Sequence, residues 1–513
     1  MPWRTSAGHT SGPSPPIRGS FRTSETAATL LPPGVMFEAT APFALFDYFR
    51  VPYVRTSSAA DADVATVSLR GGPLLLAWPT AEALASARRR PAAYVLNTSP
   101  IFGRLAAEGQ MRRWLDQQGG SWRTAAEVRT PDGTLAGTVR SSENGGAFLP
   151  FDPNELMTNF WTERYLEFVR PAALSLLATG LRRGYYRARP LLPRSLQMSM
   201  RRRFSRLQSR TRFPRWPIET AMHELYTFLF GLLTAAATEP IPYIAPWPQS
   251  SSWALVLTHD VETQVGYDLL GDLLEVELEA GYRSSWNFVP RNRYAVEDRL
   301  LGSLRERGFE IGVHGLYHDG RDISPSTFRR RLPAIRAYAE RWQARGFRSP
   351  GTLRSAELMP QLGFEYDSSF SDTAPFEPQA GGCCTWLPYM LGDMVELPIT
   401  LVQDHTLFDL LAHSDERVWI EKARFLRERG GMAVLLTHPD YVGGGRLVAA
   451  YRRLLDEFAG DTSAWKALPA EVSDWWRRRS QSTIQRNNGE WCVVGPAEGE
   501  ARIEFVTAPA PAR

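Results

Sequence analysis

From Trp253 onward, short apolar runs alternate with longer amphipathic segments. The apolar runs are Trp253–Thr258, Ser285–Val289, Phe309–Val313, Phe347–Arg348, Glu396–Ile399 and Ala433–Leu436. The intervening segments with helical spacing are Leu269–Ala280, Glu297–Arg307, Ser326–Arg345 and Asp415–Arg429. Strands that alternate with helices pair in parallel, because each helix carries the chain back to the starting edge of the sheet. The pattern predicts an α/β unit with a parallel sheet, either open or closed into a barrel.

The chain of 513 residues is long enough for about three domains, or for two large domains with extensions. Changes in pattern along the sequence place the boundaries. We expect a disordered segment at 1–35, a small mixed α/β domain at 36–160, a helical arginine-rich connector at 161–249, the alternating α/β unit at 250–475 and a β extension at 476–513. Met36 directly precedes the first well-patterned segment and is an alternative start of the protein. The two strands expected in the C-terminal extension, Glu490–Val494 and Ala501–Val506, are predicted to pair as a short β hairpin.

Composition excludes several classes of protein. Apolar residues make up 43% and charged residues 22% of the chain, as in ordinary globular proteins, which excludes disorder along its whole length. The longest apolar run, Leu225–Ala237, is too short for a membrane span and predicts a buried helix. The N-terminal region lacks the apolar stretch of a secretory signal, and only three cysteines are present. These features favour a reducing compartment and predict a cytoplasmic protein.

An arginine-rich segment lies between Leu181 and Ile218. It contains twelve arginines and no acidic residue. One interpretation is a surface for polyanions such as nucleic acid, lipid headgroups or acidic glycan. The alternative is a solvated connector whose arginines pair with carboxylates elsewhere in the chain, and charged runs of this kind are usually solvated faces. We favour the connector and predict no nucleic-acid partner, with peripheral membrane contact through this segment left as the less favoured alternative.

Acids and histidines cluster at the ends of the predicted strands. Asp260 and Glu262 follow the first strand, His314 and His318 follow the third, and His438 follows the last. Active sites of α/β barrels lie at this edge of the sheet. If a helical turn separates His314 from His318, the two imidazoles lie side by side and reach one ion. Two histidines and one carboxylate form a recognised catalytic metal set, although each fragment on its own also occurs in proteins without metal.

The order of these fragments resembles the polysaccharide deacetylase family, the NodB-type domain of carbohydrate esterase family 4. The fragments are an acid pair within Thr258–Glu262, the pair His314 and His318, Arg348-Ser349-Pro350, and Leu436-Thr437-His438. The resemblance covers about residues 250–475 and implies a distorted (β/α) barrel, usually of seven strands. It also implies hydrolysis of N-acetyl groups on amino sugars with a divalent metal, for which we expect zinc. Less specifically, Leu192–Gln197 and Phe213–Pro217 are similar to the N-terminal extension of a bacterial subgroup of the family.

The resemblance assigns a role to each matching residue. It implies that Asp260 is the general base and that Arg348 orients its carboxylate. His438 would be the general acid. The metal ligands would be Glu262, His314 and His318.

Two features depart from the family pattern. The metal-binding acid is usually aspartate, so the longer Glu262 has to bind from a shifted backbone. The fourth motif is represented only loosely, by Tyr366–Ser369. The sequence therefore leaves three candidates for the partner of His438, which are Asp367, Asp404 and Asp440.

Other chemically suggestive residues are expected to lie outside the site. His259 alternates with Asp260 along its strand and so faces the opposite side, where a core or supporting role is expected. We also place His405 and His413 outside the site, and interpret Cys383-Cys384 as loop packing. Trp286, Trp386 and Tyr441 could stack on a sugar ring. For Trp286, burial in the core is the favoured interpretation.

The residues fit metal-dependent amide hydrolysis, and the resemblance implies a hydrolase of C–N bonds other than peptide bonds. Deacetylation of an N-acetylated sugar in a polysaccharide or glycolipid is the preferred reaction, which makes an N-acetylated glycan the expected partner. One alternative is an amidase that uses the same site on a small, non-sugar amide. A second alternative is an inactive barrel retained as a glycan-binding or scaffolding module.

Overall fold

The computed structural model describes residues 36–56, 63–169, 213–237 and 239–507. Within this part of the chain, the N-terminal portion forms a mixed sheet with the strand order β2-β1-β3-β4-β9-β8-β7-β5-β6. Neighbouring strands are antiparallel except for the parallel pairs β1–β2 and β4–β9. The strands are Phe37–Ala39 (β1), Tyr53–Arg55 (β2), Val64–Leu69 (β3), Leu74–Pro79 (β4), Ala92–Leu96 (β5), Ser99–Gly103 (β6), Trp122–Arg129 (β7), Leu135–Ser142 (β8) and Ala147–Phe148 (β9).

Short helices connect and cover this sheet. They are Ala44–Phe49, Ala81–Ser86, Glu108–Gln118, Pro153–Trp161 and Leu166–Val169. The region is therefore mixed α/β, and the boundary at residue 160 stays a prediction. The segment 1–35 and most of the arginine-rich segment fall outside the described residues.

The helix Ala221–Ala236 contains most of the longest apolar run, and its inward face is buried. Leu225, Leu229 and Leu233 are each at most 2% exposed, which confirms the predicted buried helix. No helix among the described residues is long and apolar enough to cross a membrane. The strand Ile241–Ile244 (β10) follows, within the segment predicted to be helical.

A second, mostly parallel sheet occupies the region of alternating pattern. Its order is β16-β17-β15-β14-β13-β12-β11-β18, with β19 also paired to β11, and only β16 and β17 are antiparallel. All nine residues of its central strand β11 are buried, as expected for a parallel strand covered on both faces. The strands are Trp253–Val261 (β11), Ser285–Phe288 (β12), Glu310–His314 (β13), Gly346–Arg348 (β14), Tyr366–Asp367 (β15), Tyr389–Leu391 (β16), Met394–Glu396 (β17), Met432–Thr437 (β18) and Ala464–Lys466 (β19).

Helices follow the strands, four of them at the predicted places and two, Arg446–Phe458 and Pro469–Ser480, not predicted. Those that accompany this sheet are Gln264–Ala280, Asp298–Glu306, Pro325–Arg341, Arg417–Glu428, Arg446–Phe458 and Pro469–Ser480. Because the strands run in parallel, their carboxyl ends meet at one edge of the sheet. Beyond β17, Leu401 forms a single parallel bridge to Leu435 in β18. The α/β class with a parallel sheet is confirmed, and the complete seven-stranded barrel stays a prediction.

Both predicted C-terminal strands exist, but the predicted pairing between them is wrong. Glu490–Val494 (β21) pairs with Thr483–Asn487 (β20), whereas Ile503–Val506 (β22) pairs with β10. The tight turn at Asn488-Gly489 explains this, since both residues have positive φ (51° and 91°) and Asn-Gly favours two-residue hairpin turns. Apolar pattern alone favours pairing of the two apolar runs, whereas this turn pairs β21 with the more polar β20.

Candidate metal centre and active site

The predicted site residues come from different strands and meet at one edge of the sheet. Asp260 lies near the end of β11 and Glu262 directly after it. His314 and Arg348 are the last residues of β13 and β14, and His438 follows β18. Parallel pairing aligns these strand ends, so residues separated by up to 178 positions become neighbours.

The closest group consists of Glu262, His314 and His318, which offer three ligand atoms within 4.8 Å of one another. Oε1 of Glu262 lies 2.8 Å from Nε2 of His318 and 3.9 Å from Nε2 of His314. Ligand atoms about 2.1 Å from one tetrahedral ion are about 3.4 Å apart, a value between these two distances. The longer side chain of Glu262 therefore reaches the histidine pair.

His314 supplies the observation that distinguishes a metal site from an ordinary polar cluster. Its side chain is 1% exposed, and Nδ1 lies 3.1 Å from the carbonyl oxygen of Arg348. Its Nε2 has no hydrogen-bond partner among the described residues. A buried polar atom without a partner is costly, and an ion bound at Nε2 would remove that cost. Two imidazoles and one carboxylate are the donor set of many catalytic zinc sites, so these residues fit a divalent metal.

The expected helical turn between the two histidines is wrong. His314 ends β13, and residues 315–318 form an irregular loop that brings the two imidazole centroids to 5.0 Å. Gly315 has a φ of +63°, and a Cβ there would lie 2.4 Å from Oδ2 of Asp322, which accepts the N–H of Leu316. His318 itself adopts a φ of +53°, a conformation that costs free energy for a residue with a Cβ and often occurs at functional positions.

Asp260 is buried and surrounded by groups that favour its ionised form. Asn287 donates a hydrogen bond to Oδ1 at 2.8 Å, and Nη1 of Arg348 lies 3.6 Å from Oδ2. Burial alone would raise the pKa of Asp260, but His314, Arg348, His438 and the Asn287 hydrogen bond together lower it below its ordinary value. Arg348 is placed by hydrogen bonds to the hydroxyls of Thr258 and Ser368, each at 3.1 Å.

Asn287 was not predicted from the sequence. It lies inside the short apolar strand β12, directly opposite Asp260 in the parallel register. A polar side chain in a buried strand beside an acid-bearing strand is the signal that could have identified it.

Among the three acids that the sequence left open, Asp404 is the one hydrogen-bonded to the ring of His438. Nδ1 of the ring lies 2.6 Å from Oδ1 of Asp404, and Nε2 lies 3.7 Å from Oε1 of Glu262. Burial disfavours the charged ring, but Asp404, with smaller contributions from Glu262 and Asp260, raises the pKa of His438 to about 10. Asp367 instead accepts the hydroxyl of Ser369.

The peptide of Glu262 is held from both sides. Asp440 accepts its backbone N–H at 3.0 Å, and the side chain of Asn292 donates to its carbonyl oxygen at 2.6 Å. Burial alone would raise the pKa of the Glu262 carboxyl, but His318, His314 and His438 lower it well below its ordinary value. The carboxylate is thus held in its ionised form between the imidazoles.

The remaining polar residues singled out from the sequence lie away from this centre. His259 is fully buried on the other face of β11, between the Thr437 hydroxyl at 2.7 Å and the Glu277 carboxylate at 2.9 Å. His405 pairs with Asp409 at 3.3 Å, and His413 packs near Trp216.

The cysteines and aromatic residues behave largely as packing groups. Cys383 and Cys384 are buried, and burial raises the pKa of both thiols. Trp286 is fully buried, and Trp386 is 3% exposed with its ring stacked on His223. Tyr441 is half-buried and stacks on His405.

Comparisons with known proteins find similar structures only. No family model matches the sequence, and no curated protein matches it. A protein described as a polysaccharide deacetylase from Mycobacterium smegmatis is 20% identical, covering 49% of this chain and all of its own, with a TM-score of 0.37. Puue allantoinase is 15% identical over 52% of this chain and 98% of its own, with a TM-score of 0.38. The peptidoglycan deacetylase PdaC from Bacillus subtilis is 11% identical over 44% of this chain and 92% of its own, with a TM-score of 0.30. Similarities of this size do not establish a family or an activity for this chain.

Proposed function

We propose that the chain is a metal-dependent hydrolase of non-peptide C–N bonds that removes acetyl groups from N-acetylated sugars of a polysaccharide or glycolipid. The observation that carries this proposal is the unpartnered, buried Nε2 of His314 beside the side chains of Glu262 and His318. The barrel implied by the family resemblance, closed through the Leu401–Leu435 bridge, would support the site.

Glu262, His314 and His318 would hold the ion, for which the two nitrogens and one carboxylate favour zinc. When bound, the ion supplies Lewis-acid polarisation of the amide carbonyl and of the attacking water. The other residues of the site then carry the proton transfers.

Asp260 is the proposed general base. Its carboxylate accepts a proton from the water that attacks the amide carbon, and Arg348 and Asn287 keep it ionised and oriented. His438 is the proposed general acid. Because Asp404 occupies Nδ1, the protonated ring presents its Nε2–H toward the site and donates this proton to the leaving nitrogen as the C–N bond breaks. Proton exchange with solvent water then returns Asp260 to its ionised form and His438 to its protonated form. The products are acetate and a free amine.

A cavity of about 470 Å³ borders the general acid's partner and favours a hydroxyl-rich substrate. Asp404, Asp409, Asp440, Tyr441 and Arg446 are among its lining residues. The lining combines charged side chains with a tyrosine ring, so it suits a polar, hydroxyl-rich substrate better than an apolar amide.

Elemental analysis of the purified protein, combined with acetate release from a panel of N-acetylated oligosaccharides and small amides, tests the proposal. We expect about one divalent ion per chain and acetate release from at least one oligosaccharide, both lost in His314→Ala. Absence of a bound ion would contradict the metal-dependent mechanism. Hydrolysis of small amides alone would contradict the glycan substrate.

A further inference from the structure

The loop that carries Glu262 is attached to a distant part of the chain by one carboxylate. Asp440 lies two residues after His438, yet its Oδ2 accepts the backbone N–H of Glu262 at 3.0 Å. Its Oδ1 accepts the hydroxyl of Thr263, the next residue. One side chain therefore bonds two consecutive residues of the loop that follows β11.

The contact continues into the helix that follows. Thr263 caps the helix Gln264–Ala280, since its hydroxyl oxygen accepts the N–H of Val265 at 3.2 Å. A Cβ at Gly266 would lie 2.2 Å from Oδ2 and 2.5 Å from Cγ of Asp440. The first turn of this helix thus provides the space that the carboxylate occupies.

From these contacts we infer that Asp440 is a positioning residue, which fixes the peptide of Glu262 so that its long side chain reaches the ion. This inference rests on the proposed function. A glutamate has one more rotatable bond than an aspartate, so its carboxylate explores a larger volume unless its backbone is held. Asp440 supplies that restraint at the N–H of Glu262, and Asn292 supplies it at the carbonyl oxygen. Removing a group that orients a metal ligand typically weakens metal affinity by about 10–100-fold.

The test compares Zn²⁺ affinity, measured by competition with a chromogenic chelator, between Asp440→Ala and Asp440→Asn. We expect Asp440→Ala to lose at least about tenfold in affinity. Asn keeps an oxygen for the N–H of Glu262 and offers an amide donor to the oxygen of Thr263, so Asp440→Asn should stay within a few-fold of the unsubstituted protein. The melting temperature of each metal-free variant reports whether it is folded, independently of the ion.

Gly266→Ala perturbs the contact between Asp440 and Glu262 without changing either residue. Its methyl group would displace the Asp440 carboxylate, so we expect a comparable loss of affinity without any change at Asp440 itself. If both substitutions act through the same contact, Gly266→Ala/Asp440→Ala should lose much less than the product of the two single effects. Asp268→Asn is the matched control, since it removes a carboxylate from the first turns of the same helix, where it accepts a hydrogen bond from Gln264, and its affinity should be unchanged.

His318→Ala separates failure of this inference from failure of the proposed function. Loss of Zn²⁺ in His318→Ala together with full affinity in Asp440→Ala would overturn the positioning role and leave the metal site intact. Fully multiplicative effects of Gly266→Ala and Asp440→Ala would also overturn it. If the unsubstituted protein binds no Zn²⁺, the proposed function fails, and the inference fails with it.

Discussion

Asp404 bonds His438 at two points. Its Oδ1 lies 2.6 Å from Nδ1 of the ring, and its Oδ2 accepts the backbone N–H of the same residue at 2.7 Å. The acid therefore fixes both the peptide and the ring orientation. With Nδ1 engaged, Nε2 is the nitrogen left to face Glu262 and the candidate metal centre.

Asp404→Asn should impair catalysis without removing the metal. The amide offers either an oxygen or an N–H₂ group to Nδ1, so the tautomer and the charge of His438 are no longer fixed. We expect kcat for acetate release to fall by about 10²–10⁴-fold, the range for loss of a general acid. Metal content, measured by elemental analysis, should be unchanged. A variant that retains full kcat would show that Asp404 does not support the proton transfer.

Replacing either histidine of the metal group should abolish metal binding. His314→Ala and His318→Ala each remove one of three ligand atoms, and we expect loss of stoichiometric metal and of acetate release in a folded protein. Elemental analysis and the melting temperature are the two measurements. His413→Ala is the control, because it removes an imidazole outside the site. Stoichiometric metal in either ligand variant would contradict the assignment.

Glu262 and Asp260 should respond differently when each is made neutral. Glu262→Gln removes a charged ligand, so metal affinity should fall by at least the roughly 10–100-fold seen when groups around a ligand are lost. Asp260→Asn should keep the metal and lose about 10²–10⁴-fold in kcat, because it removes the general base. Metal titration of both variants, together with kcat, decides between the roles. The opposite pattern would mean that base and ligand are interchanged.

The buried ion pair of Glu163 and Arg354 joins the N-terminal region to the region of the second sheet. Their side chains are 4% and 0% exposed, and Nε of Arg354 donates to Glu163 at 2.9 Å. Arg354→Met leaves a buried carboxylate without its partner, so the free energy of unfolding should fall by about 3–5 kcal/mol. Glu163→Leu/Arg354→Met removes both charges and should recover most of that loss.

Chemical denaturation of the two proteins measures this difference. Asp298→Asn serves as the control, because it breaks the well-exposed pair with Arg341 and should change stability little. Equal losses in Arg354→Met and in the double variant would show that packing of the arginine side chain, rather than charge pairing, stabilises this contact.

Local pattern located β11, β12, β13, β14 and β18, which are short apolar runs. It missed β15, β16 and β19, and only Glu396 of the predicted run Glu396–Ile399 belongs to β17. Ser285–Phe288 ends one residue before its predicted end, and Met432–Thr437 extends one residue beyond its predicted bounds at each end. Parallel pairing then brings the strand ends together without further information. The grouping of Glu262, His314 and His318 was therefore accessible from the sequence.

Contacts between residues far apart in the chain could not be predicted from local sequence pattern. Nothing in the residues near His438 distinguishes Asp404 from Asp367 or Asp440. Asp367 ends β15, Asp440 lies in a short helix and Asp404 caps another, so only the fold shows which carboxylate meets Nδ1. The helical interpretation of His314–His318 failed because spacing gives only the separation of two residues, whereas the positive φ of Gly315 sets the path between them. The nine-stranded N-terminal sheet also depends on pairs such as β4–β9, whose strands lie far apart in the chain.

The pairing of β10 with β22 has a consequence for synthesis on the ribosome. Ile241 pairs with Val506, so the whole second sheet is translated between the two strands. At about 5–20 residues per second, β10 emerges roughly 13–50 s before its partner. Throughout that interval its backbone is an open edge to which another nascent chain could add. Pro242 lies within β10 and has no N–H to donate, so the strand is a poor template for such pairing before β22 has been translated.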